Sequence, residues 1–425
     1  MTFGSIKDTL SFMTVDECSR QPTPEEAARI TGARNWAEMR AEHPERVDAM
    51  AAGLVRGDLL ADAVVAEFFS PAGLSWERTV GALDSPYRTE GLPPALTAFL
   101  SAATTPPPWY DASLVRAGAA AWWRFGSLQS STLYQSLIYG YQARGFTRPL
   151  VETGRLTTGT WDRVISTARW VALATAPDMM NVGGPGWVET LRIRLVHSMV
   201  RHHLIERQGW DIAAWGVPIN QTYSQFTITA GFLALPLRIA RDLGLRYSQA
   251  ELEAITHLWR WIGATMGVED QLLPTDFADA SAVYRIAQEF RMEPDEQAKV
   301  LVGALLDEGY QTDLGLPGPL NSAVDVVTRP FLRTFFATVS ARWVEPEVAV
   351  AIGLRPNPLH HLVVLARPVV RSREVLRSLG LLGSDRSLVQ RELRLVTGRL
   401  GLDLAQPELG KRYRKADRNQ LDTVA

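Results

Sequence analysis

The sequence predicts an all-α fold, built as a single large helical domain, and three observations support this prediction. Apolar residues recur mostly at helical spacing, whereas the alternating pattern of strands is scarce. Capping boxes at residues 23–26 and 248–251 mark two helix starts. Segments rich in proline or glycine separate the periodic regions, at residues 104–108, 181–186 and 316–319.

The same periodicity predicts the individual helices in chain order. One long helix is expected over residues 48–69. A second, over residues 114–125, carries Gly118, where a neighbouring helix can approach closely. The later helices are expected over residues 161–176, 190–208, 249–265, 292–307 and 330–343, and residues 371–402 alternate arginine with leucine and valine at helical spacing.

We expect these helices to form a central unit with additions on both sides. Residues 106–345 form the expected core, residues 1–105 an N-terminal helical extension packed on it, and residues 346–425 a C-terminal helical extension. The tail after Pro407 is basic and is expected to be mobile.

Composition excludes several classes of function. The chain has 425 residues, and 44 basic against 46 acidic side chains leave a net charge of -2, which makes nucleic acid an unsuitable partner. The single cysteine, Cys18, excludes an intramolecular disulfide and a cysteine-based zinc or iron–sulfur centre. Metal chemistry would therefore depend on the seven histidines or on carboxylates.

The sequence also predicts where the protein resides. No run approaches the roughly 18 apolar residues of a membrane-spanning helix, so no integral membrane segment is expected. Residues 1–13 lack the basic start and apolar run of a signal peptide. We therefore expect a cytoplasmic protein, and the sequence makes no prediction of its oligomeric state.

Polar residues in two neighbouring predicted helices lie at helical spacing. Arg163 and Thr167 are four residues apart, and Arg194, His197 and Arg201 follow one another at intervals of three and four. A histidine on an apolar helix can serve as an axial ligand of heme iron, and flanking arginines can pair with the heme propionates. This spacing makes His197 a candidate metal ligand, with Arg163 and Thr167 as polar groups for the opposite side of the iron.

Each of these residues also has a structural interpretation. His197 can be hydrogen-bonded within a helical core, Arg163 can form a buried salt bridge, and Thr167 can bond to the carbonyl one turn earlier. Arg194 and Arg201 can belong to a solvated basic helix face. His202 is five residues from His197 and off its face, so it is expected to reach a propionate or a carbonyl rather than the metal. The tryptophans of this region are expected to be mainly core.

Several short motifs, taken together in their order and spacing, resemble a known family. They are PWYD at 108–111, ETGRL at 152–156, RVIST at 163–167, LRIRLVH at 191–197, VRHH at 200–203, WGVPINQ at 215–221 and WRWIG at 259–263. Over residues 109–275 the chain resembles the latex clearing proteins, which are b-type heme rubber oxygenases. Their wider relatives include the oxygenase that cleaves a farnesyl chain in mycophenolic acid biosynthesis.

The resemblance implies a fold, a cofactor and residue roles. It implies a globin-like helical core with extra helices, and heme b as the cofactor of residues 106–345. By position, His197 matches the family's proximal ligand, and Arg163 and Thr167 match its distal residues. Arg194, Arg201 and His202 match the basic residues that surround the ligand.

Two positions bear on how closely the chain follows this pattern. Latex clearing proteins carry a lysine directly before the distal threonine, which can coordinate the iron in a closed state, whereas this chain has Ser166. A serine hydroxyl is a poor iron ligand, so a five-coordinate or water-bound iron is expected. The family also uses a glutamate near the distal pocket, and Glu152 is the nearest carboxylate before Arg163.

The resemblance implies a heme-dependent oxygenase that uses dioxygen to cleave a carbon–carbon double bond of an apolar, isoprenoid-like substrate. Three alternatives stay open on the residues. The chain can be a heme monooxygenase or peroxidase-like enzyme acting on a natural product. It can be a heme-binding sensor or carrier without turnover. It can also be a helical interaction protein without a cofactor.

Overall fold

Every regular element in the described part of the chain is a helix, which confirms the all-α prediction. The computed structural model describes residues 22–33, 35–70, 73–126, 128–153, 159–207, 209–290, 294–308, 318–355, 358–402 and 404. Three segments named in the sequence analysis lie outside these residues. They are the N-terminus at 1–13, where no signal peptide is expected, motif residues 154–156 and the basic tail after Pro407.

The described residues form 21 α-helices, not counting the short 3₁₀ and π-helical segments. They are α1 (Pro24–Thr31), α2 (Trp36–Glu42), α3 (Pro44–Gly53), α4 (Leu59–Phe68), α5 (Trp76–Leu83), α6 (Pro94–Thr104), α7 (Ala112–Trp122), α8 (Leu128–Tyr141), α9 (Arg144–Glu152), α10 (Thr160–Thr175), α11 (Pro185–Arg207), α12 (Ile212–Trp215), α13 (Gln221–Gln225), α14 (Leu235–Asp242), α15 (Gln249–Thr265), α16 (Phe277–Glu289), α17 (Glu296–Glu308), α18 (Gly318–Ser340), α19 (Pro346–Ala351), α20 (Ala366–Ser378) and α21 (Asp385–Arg399).

Local sequence signals set several of these boundaries. Both predicted capping boxes are present, at Thr23 before α1 and at Ser248 before α15. Asn220 caps α13 through its side-chain oxygen, which accepts from the Tyr223 N–H at 2.9 Å. Between α13 and α14 the chain winds as a π-helix over Phe226–Ala234.

The expected single helix over 48–69 is wrong. The structure contains α3 and α4, separated by a break at residues 54–58. Asp58 starts the second helix, because its carboxylate accepts a hydrogen bond from the Ala61 N–H at 3.2 Å. The run of alanine and leucine hid this break, since Gly57-Asp58 interrupts the apolar pattern only briefly.

Helices α7 and α15 pack closely against each other at Gly118, where the sequence predicted a close approach. A Cβ built on Gly118 would lie 2.1 Å from the Ala254 carbonyl oxygen and 3.0 Å from the Leu258 Cβ. No side chain fits at that distance, so Gly118 allows the two helices to approach, as the sequence predicted.

Buried ion pairs attach α4 to α11. Arg194 binds Asp58 through Nε at 2.5 Å and Nη2 at 2.9 Å, and Arg201 Nη1 binds Asp62 Oδ1 at 2.7 Å. Ser198, on the same face of α11, donates to Asp62 at 2.5 Å. Burial raises the pKa of Asp62, and the positive charge of Arg201 opposes that shift. These contacts tie the N-terminal region to the helix that carries His197.

In the described ranges, no helix is both long enough and apolar enough to cross a membrane.

Gly118→Ala is expected to destabilise the fold. The added methyl must displace the backbone of α15, which costs about 1–3 kcal/mol in free energy of unfolding. Gly81→Ala in α5 is the matched control, because its Cβ would meet no atom within 4 Å. That change should stabilise the protein by about 0.5–1 kcal/mol. Chemical denaturation measures both, and equal effects at the two sites would contradict the packing assigned to Gly118.

Asp58→Asn is expected to lower the free energy of unfolding by about 3–5 kcal/mol, because it leaves the buried Arg194 charge without its partner. Asparagine keeps the shape and the helix cap, so the change isolates the ion pair. Arg116→Gln breaks the Arg116–Asp178 pair, whose side chains are 62% and 51% exposed. That control should cost at most about 1 kcal/mol. Comparable losses in the two variants would show that the Asp58 pair is not buried as described.

Candidate active site

The site is positioned by a hairpin of two antiparallel helices, α10 and α11, joined by residues 176–184. The indole N–H of Trp170 donates to Thr190 Oγ1 at 3.0 Å, so these two side chains mark one level of the hairpin. Arg163 lies seven residues before Trp170, and His197 lies seven residues after Thr190. Seven residues are about two helical turns, or roughly 10 Å, so Arg163 and His197 share a second level.

The same spacing sets the directions of these side chains. A residue seven positions away on an α-helix returns to nearly the same face. Because Trp170 and Thr190 face each other, this spacing predicts that Arg163 points towards α11 and His197 towards α10. Thr167, four residues after Arg163 and three before Trp170, lies on this inner face too. Helical geometry thus predicts that Arg163, Thr167 and His197 face the same space between the two helices.

His197 has the protonation state of a metal ligand. Burial lowers its pKa to about 4, and the positive charge of Arg201 adds to this effect while Asp58 opposes it. The ring is therefore neutral at pH 7, which is the form that binds iron. No described residue hydrogen-bonds to either ring nitrogen.

The surroundings of His197 fit a heme. Its side chain keeps part of its surface accessible, although burial dominates its pKa. These two properties together are typical of a group that lines an interior space. Within the described ranges, no three His, Cys, Asp or Glu side chains are grouped for a metal ion. A single imidazole would suffice to hold a heme iron, because the porphyrin nitrogens would supply the other bonds to the metal.

Arg163 and Thr167 are linked to each other through the backbone. Thr167 Oγ1 donates to the Arg163 carbonyl at 2.8 Å, which is the local bond that its structural interpretation predicted. Its hydroxyl oxygen remains an acceptor. Arg163 is half-buried, and its Nη2 lies 3.4 Å from Thr160 Oγ1. Burial raises the pKa of the Tyr141 hydroxyl, and the nearby Arg163 charge opposes this shift. Tyr141 is therefore a neighbour that the sequence did not indicate.

Arg194 and Arg201 lie on the expected helix face but are buried in it, at 7% and 6% exposure. A solvated basic face, the structural alternative, is therefore wrong. The guanidinium groups are bound to Asp58 and Asp62, and the Arg194 group also lies 4.9 Å from the Phe99 ring. Their predicted contact with propionates stays a prediction, and their visible role is to hold α4. These two ion pairs form a clamp between α4 and α11. The sequence could have indicated it, because Asp58 and Asp62 are four residues apart and so share one helix face.

His202 lies away from the centre of the hairpin. Its ring stacks on Phe69, with the centroids 4.2 Å apart and the planes 21° from parallel. The five-residue interval from His197 turns it towards the end of α4, in agreement with the expectation that it does not share the metal. Its predicted role at a propionate stays a prediction.

The structure also shows where Ser166 and Glu152 lie, the two positions at which the sequence was compared with the family pattern. Ser166 is half-buried on α10, next to Thr167. Glu152 pairs with Arg148 at 2.5 Å on α9, and both side chains are partly exposed. The Arg148 group also lies 5.1 Å from the Trp215 ring. Glu152 is thus engaged in a local ion pair.

Buried aromatic rings close one end of the hairpin. Trp170 packs edge-on against Phe232 at 5.5 Å, and Phe232 stacks on Trp259 at 5.9 Å. The indole of Trp261 donates to the Met180 carbonyl at 2.9 Å, and Trp187 is fully buried. These rings confirm the expectation that the tryptophans are mainly core, and they make the walls around α10 apolar.

In the described residues, polar atoms without a hydrogen-bond partner occur just before the π-helix and within it. Both amide atoms of Gln225 and the hydroxyl of Thr229 are fully buried and bond to no described residue. An unpaired buried group costs about 1–3 kcal/mol, so such groups commonly face a water or ligand. π-helical turns are frequent at functional sites. Neither residue belongs to a motif that the sequence would indicate.

Comparisons with known proteins identify a family and a fold that this chain shares. The family model described as "ER-bound oxygenase mpaB/B'/Rubber oxygenase, catalytic domain" matches residues 109–373, which include Arg163, Thr167 and His197. A rubber oxygenase of Streptomyces sp. (strain K30) is 25% identical over 303 residues, which are 69% of this chain and 68% of the relative.

A solved structure shares the fold. The latex clearing protein in its closed state superposes with a TM-score of 0.56 and 24% sequence identity, over 80% of this chain and 88% of that chain. Since the family model covers more than half of the sequence, the chain belongs to the mpaB/rubber oxygenase family, and so to a family of oxidoreductases.

Proposed function

We propose that this protein is a b-type heme oxygenase that uses dioxygen to cleave a carbon–carbon double bond of an apolar, isoprenoid-like substrate. The observation that carries the proposal is the alignment of α10 with α11, which the Trp170–Thr190 hydrogen bond sets. From that alignment we infer that His197, which is neutral and accepts no hydrogen bond from a described residue, lies at the level of Arg163, with Thr167 on the same inner face.

The chain's residues divide the work at this site. His197 would hold the iron through a neutral imidazole. The bound heme would supply dioxygen binding and the redox chemistry. Arg163 presents guanidinium donors towards the space between the helices, where it can orient a reacting oxygen-containing group and stabilise developing negative charge. Thr167 Oγ1 donates to the Arg163 carbonyl and so keeps its acceptor lone pairs for that space.

The walls suit an apolar substrate. Trp170, Phe232 and Trp259 exclude water from one end of the hairpin. A dry site strengthens the electrostatic effect of Arg163 and limits side reactions. Ser166 supplies no amine beside Thr167, so no lysine of α10 competes with dioxygen at that position.

The proposed domain boundaries assign the site to a core at 106–345. Every residue proposed to act at the heme lies within it, whereas the clamp on α11 comes from Asp58 and Asp62 of the 1–105 extension. We therefore propose that the extension rigidifies the ligand helix and that the core does not act without it.

Protein produced with added heme precursor is expected to show a Soret band, which His197→Gly should lose or shift because the iron loses its protein ligand. Added imidazole should restore the band in His197→Gly, since it can occupy the vacated volume. His203→Gly, on the same helix, is the control and should keep the parental spectrum. A parental protein without a Soret band after reconstitution would contradict the heme assignment, and an unchanged His197→Gly spectrum would contradict the ligand.

Arg163→Gln is expected to lower kcat for cleavage by about 100-fold or more, as for loss of one donor to developing charge, while the Soret band stays unchanged. Arg88→Gln changes an exposed arginine outside the site and should leave kcat unaltered. Turnover is measured with isoprenoids under labelled dioxygen, and each of the two carbonyl products should carry one labelled oxygen. Products that carry only one labelled oxygen in total would favour the monooxygenase alternative. Dependence of turnover on peroxide would favour the peroxidase-like alternative. Ser166, which replaces the family's lysine, leaves both alternatives open.

A further inference from the structure

A strongly cationic cleft of about 560 Å³ lies away from the residues proposed to bind heme, where α14 ends. Its walls also come from the 3₁₀ turn Ala341–Trp343, the 3₁₀ segment Pro358–Leu365 and α20. Five arginines and one aspartate line it, so its formal charge is +4 with the histidines neutral. Such a surplus is unusual in a chain whose net charge is -2.

Asp242 organises the cleft without neutralising it. Its carboxylate accepts from Arg342 through Nε at 2.5 Å and Nη2 at 3.0 Å, and it also accepts from Arg367. Arg367 Nε donates in addition to the Asp242 carbonyl at 2.5 Å. The hydrogen bond from Arg342 holds the pKa of Asp242 below its usual range in spite of partial burial. One carboxylate thus ties together α14, the turn at 341–343 and α20.

The remaining arginines have no anionic partner among the residues that the structure describes. Arg241 and Arg371 are exposed and make no ion pair or side-chain hydrogen bond with any described residue. Arg238 lies 5.9 Å from the Tyr284 ring and has no carboxylate partner in the same part of the chain. Arg238 and Arg241 are three residues apart on α14, and Arg367 and Arg371 are four apart on α20. Like charges at these spacings repel, so an anion between them would stabilise both helices.

Two buried polar atoms on the same walls also lack partners. The indole N–H of Trp343 and Nδ1 of His360 are buried and bond to no described residue. An indole nitrogen is only a donor. Together with the guanidinium groups it offers several N–H donors to one ligand, which fits the multiple acceptor oxygens of a phosphate.

An exposed apolar row borders this cleft. Leu359, Leu362 and Leu365 are 59%, 54% and 66% exposed, on the same 3₁₀ segment that contributes His360 and His361 to the cleft. Residues three apart on a 3₁₀ helix share one face. Val369 extends the row onto α20 with 71% exposure. Basic groups beside exposed leucines are typical of segments that lie on anionic membranes.

We propose that this cleft binds the phosphate of an anionic lipid headgroup while the row of Leu359, Leu362, Leu365 and Val369 enters the bilayer surface. The charge of the cleft matches the headgroup, and the apolar row matches the acyl boundary. A soluble phosphate would use the donors but leave the leucines in water. The inference does not depend on the heme or on the reaction proposed above.

The test is co-sedimentation of the full chain with phosphatidylcholine vesicles with and without phosphatidic acid. The protein should bind only the anionic vesicles, and more weakly at high salt. The double change Arg241→Glu and Arg371→Glu should weaken binding roughly tenfold or more, since each basic group near the surface contributes about 1 kcal/mol. Arg88→Glu, an exposed arginine outside the cleft, should bind like the parent. The double change Leu362→Ser and Leu365→Ser should also weaken binding while keeping the salt dependence.

Three results would overturn the proposal. Equal binding to neutral and anionic vesicles would remove the role of the cleft. Saturable binding of inorganic phosphate, lost in the arginine variant, without any vesicle binding would assign the cleft to a soluble ligand. A dimer in sedimentation that dissociates when Leu362 and Leu365 are changed, again without vesicle binding, would assign the apolar row to a second copy.

Discussion

The register of the α10–α11 hairpin is the constraint on which the proposed site depends. The Trp170–Thr190 hydrogen bond sets this register, and helical geometry then predicts that Arg163 and His197, two turns away on their helices, lie at one level. A slip by one residue would rotate either side chain by about 100° and remove it from the shared space. The aromatic packing of Trp170 against Phe232 supports this register, because it leaves the indole little freedom to seek another acceptor.

Buried charge pairs one turn before and one turn after His197 on α11 complete the support for this residue. Arg194 and Arg201 bracket the histidine in sequence, but their guanidinium groups bind Asp58 and Asp62 of the N-terminal helices. Such pairs contribute little net stability compared with apolar packing, yet each is costly to break on one side only. Their effect is to fix how α11 lies on α4. They also place positive charge near His197, which helps burial to keep the ring neutral.

Sequence reasoning predicted the helices well and the contacts less well. Capping residues such as Thr23, Ser248 and Asn220 act locally, so their helix starts are predictable. The break before Asp58 was missed because Gly57-Asp58 interrupts the apolar run only briefly, and the sequence could not show that Arg194 is the partner of Asp58. Helical spacing in the sequence identified Arg163, Thr167 and His197 as candidate site residues. It could not show that Thr167 bonds to a carbonyl, that the arginines are clamped, or that Gln225 and Thr229 are buried without partners.

The central claim is that a neutral His197 is the protein ligand of a heme iron. Resonance Raman spectroscopy of the ferrous, heme-loaded protein tests it most directly, through the iron–imidazole stretching mode. The account predicts such a mode, which shifts when histidine is labelled with heavy nitrogen and disappears in His197→Gly. A mode that persists in His197→Gly, or a spectrum insensitive to the labelled histidine, would contradict the account.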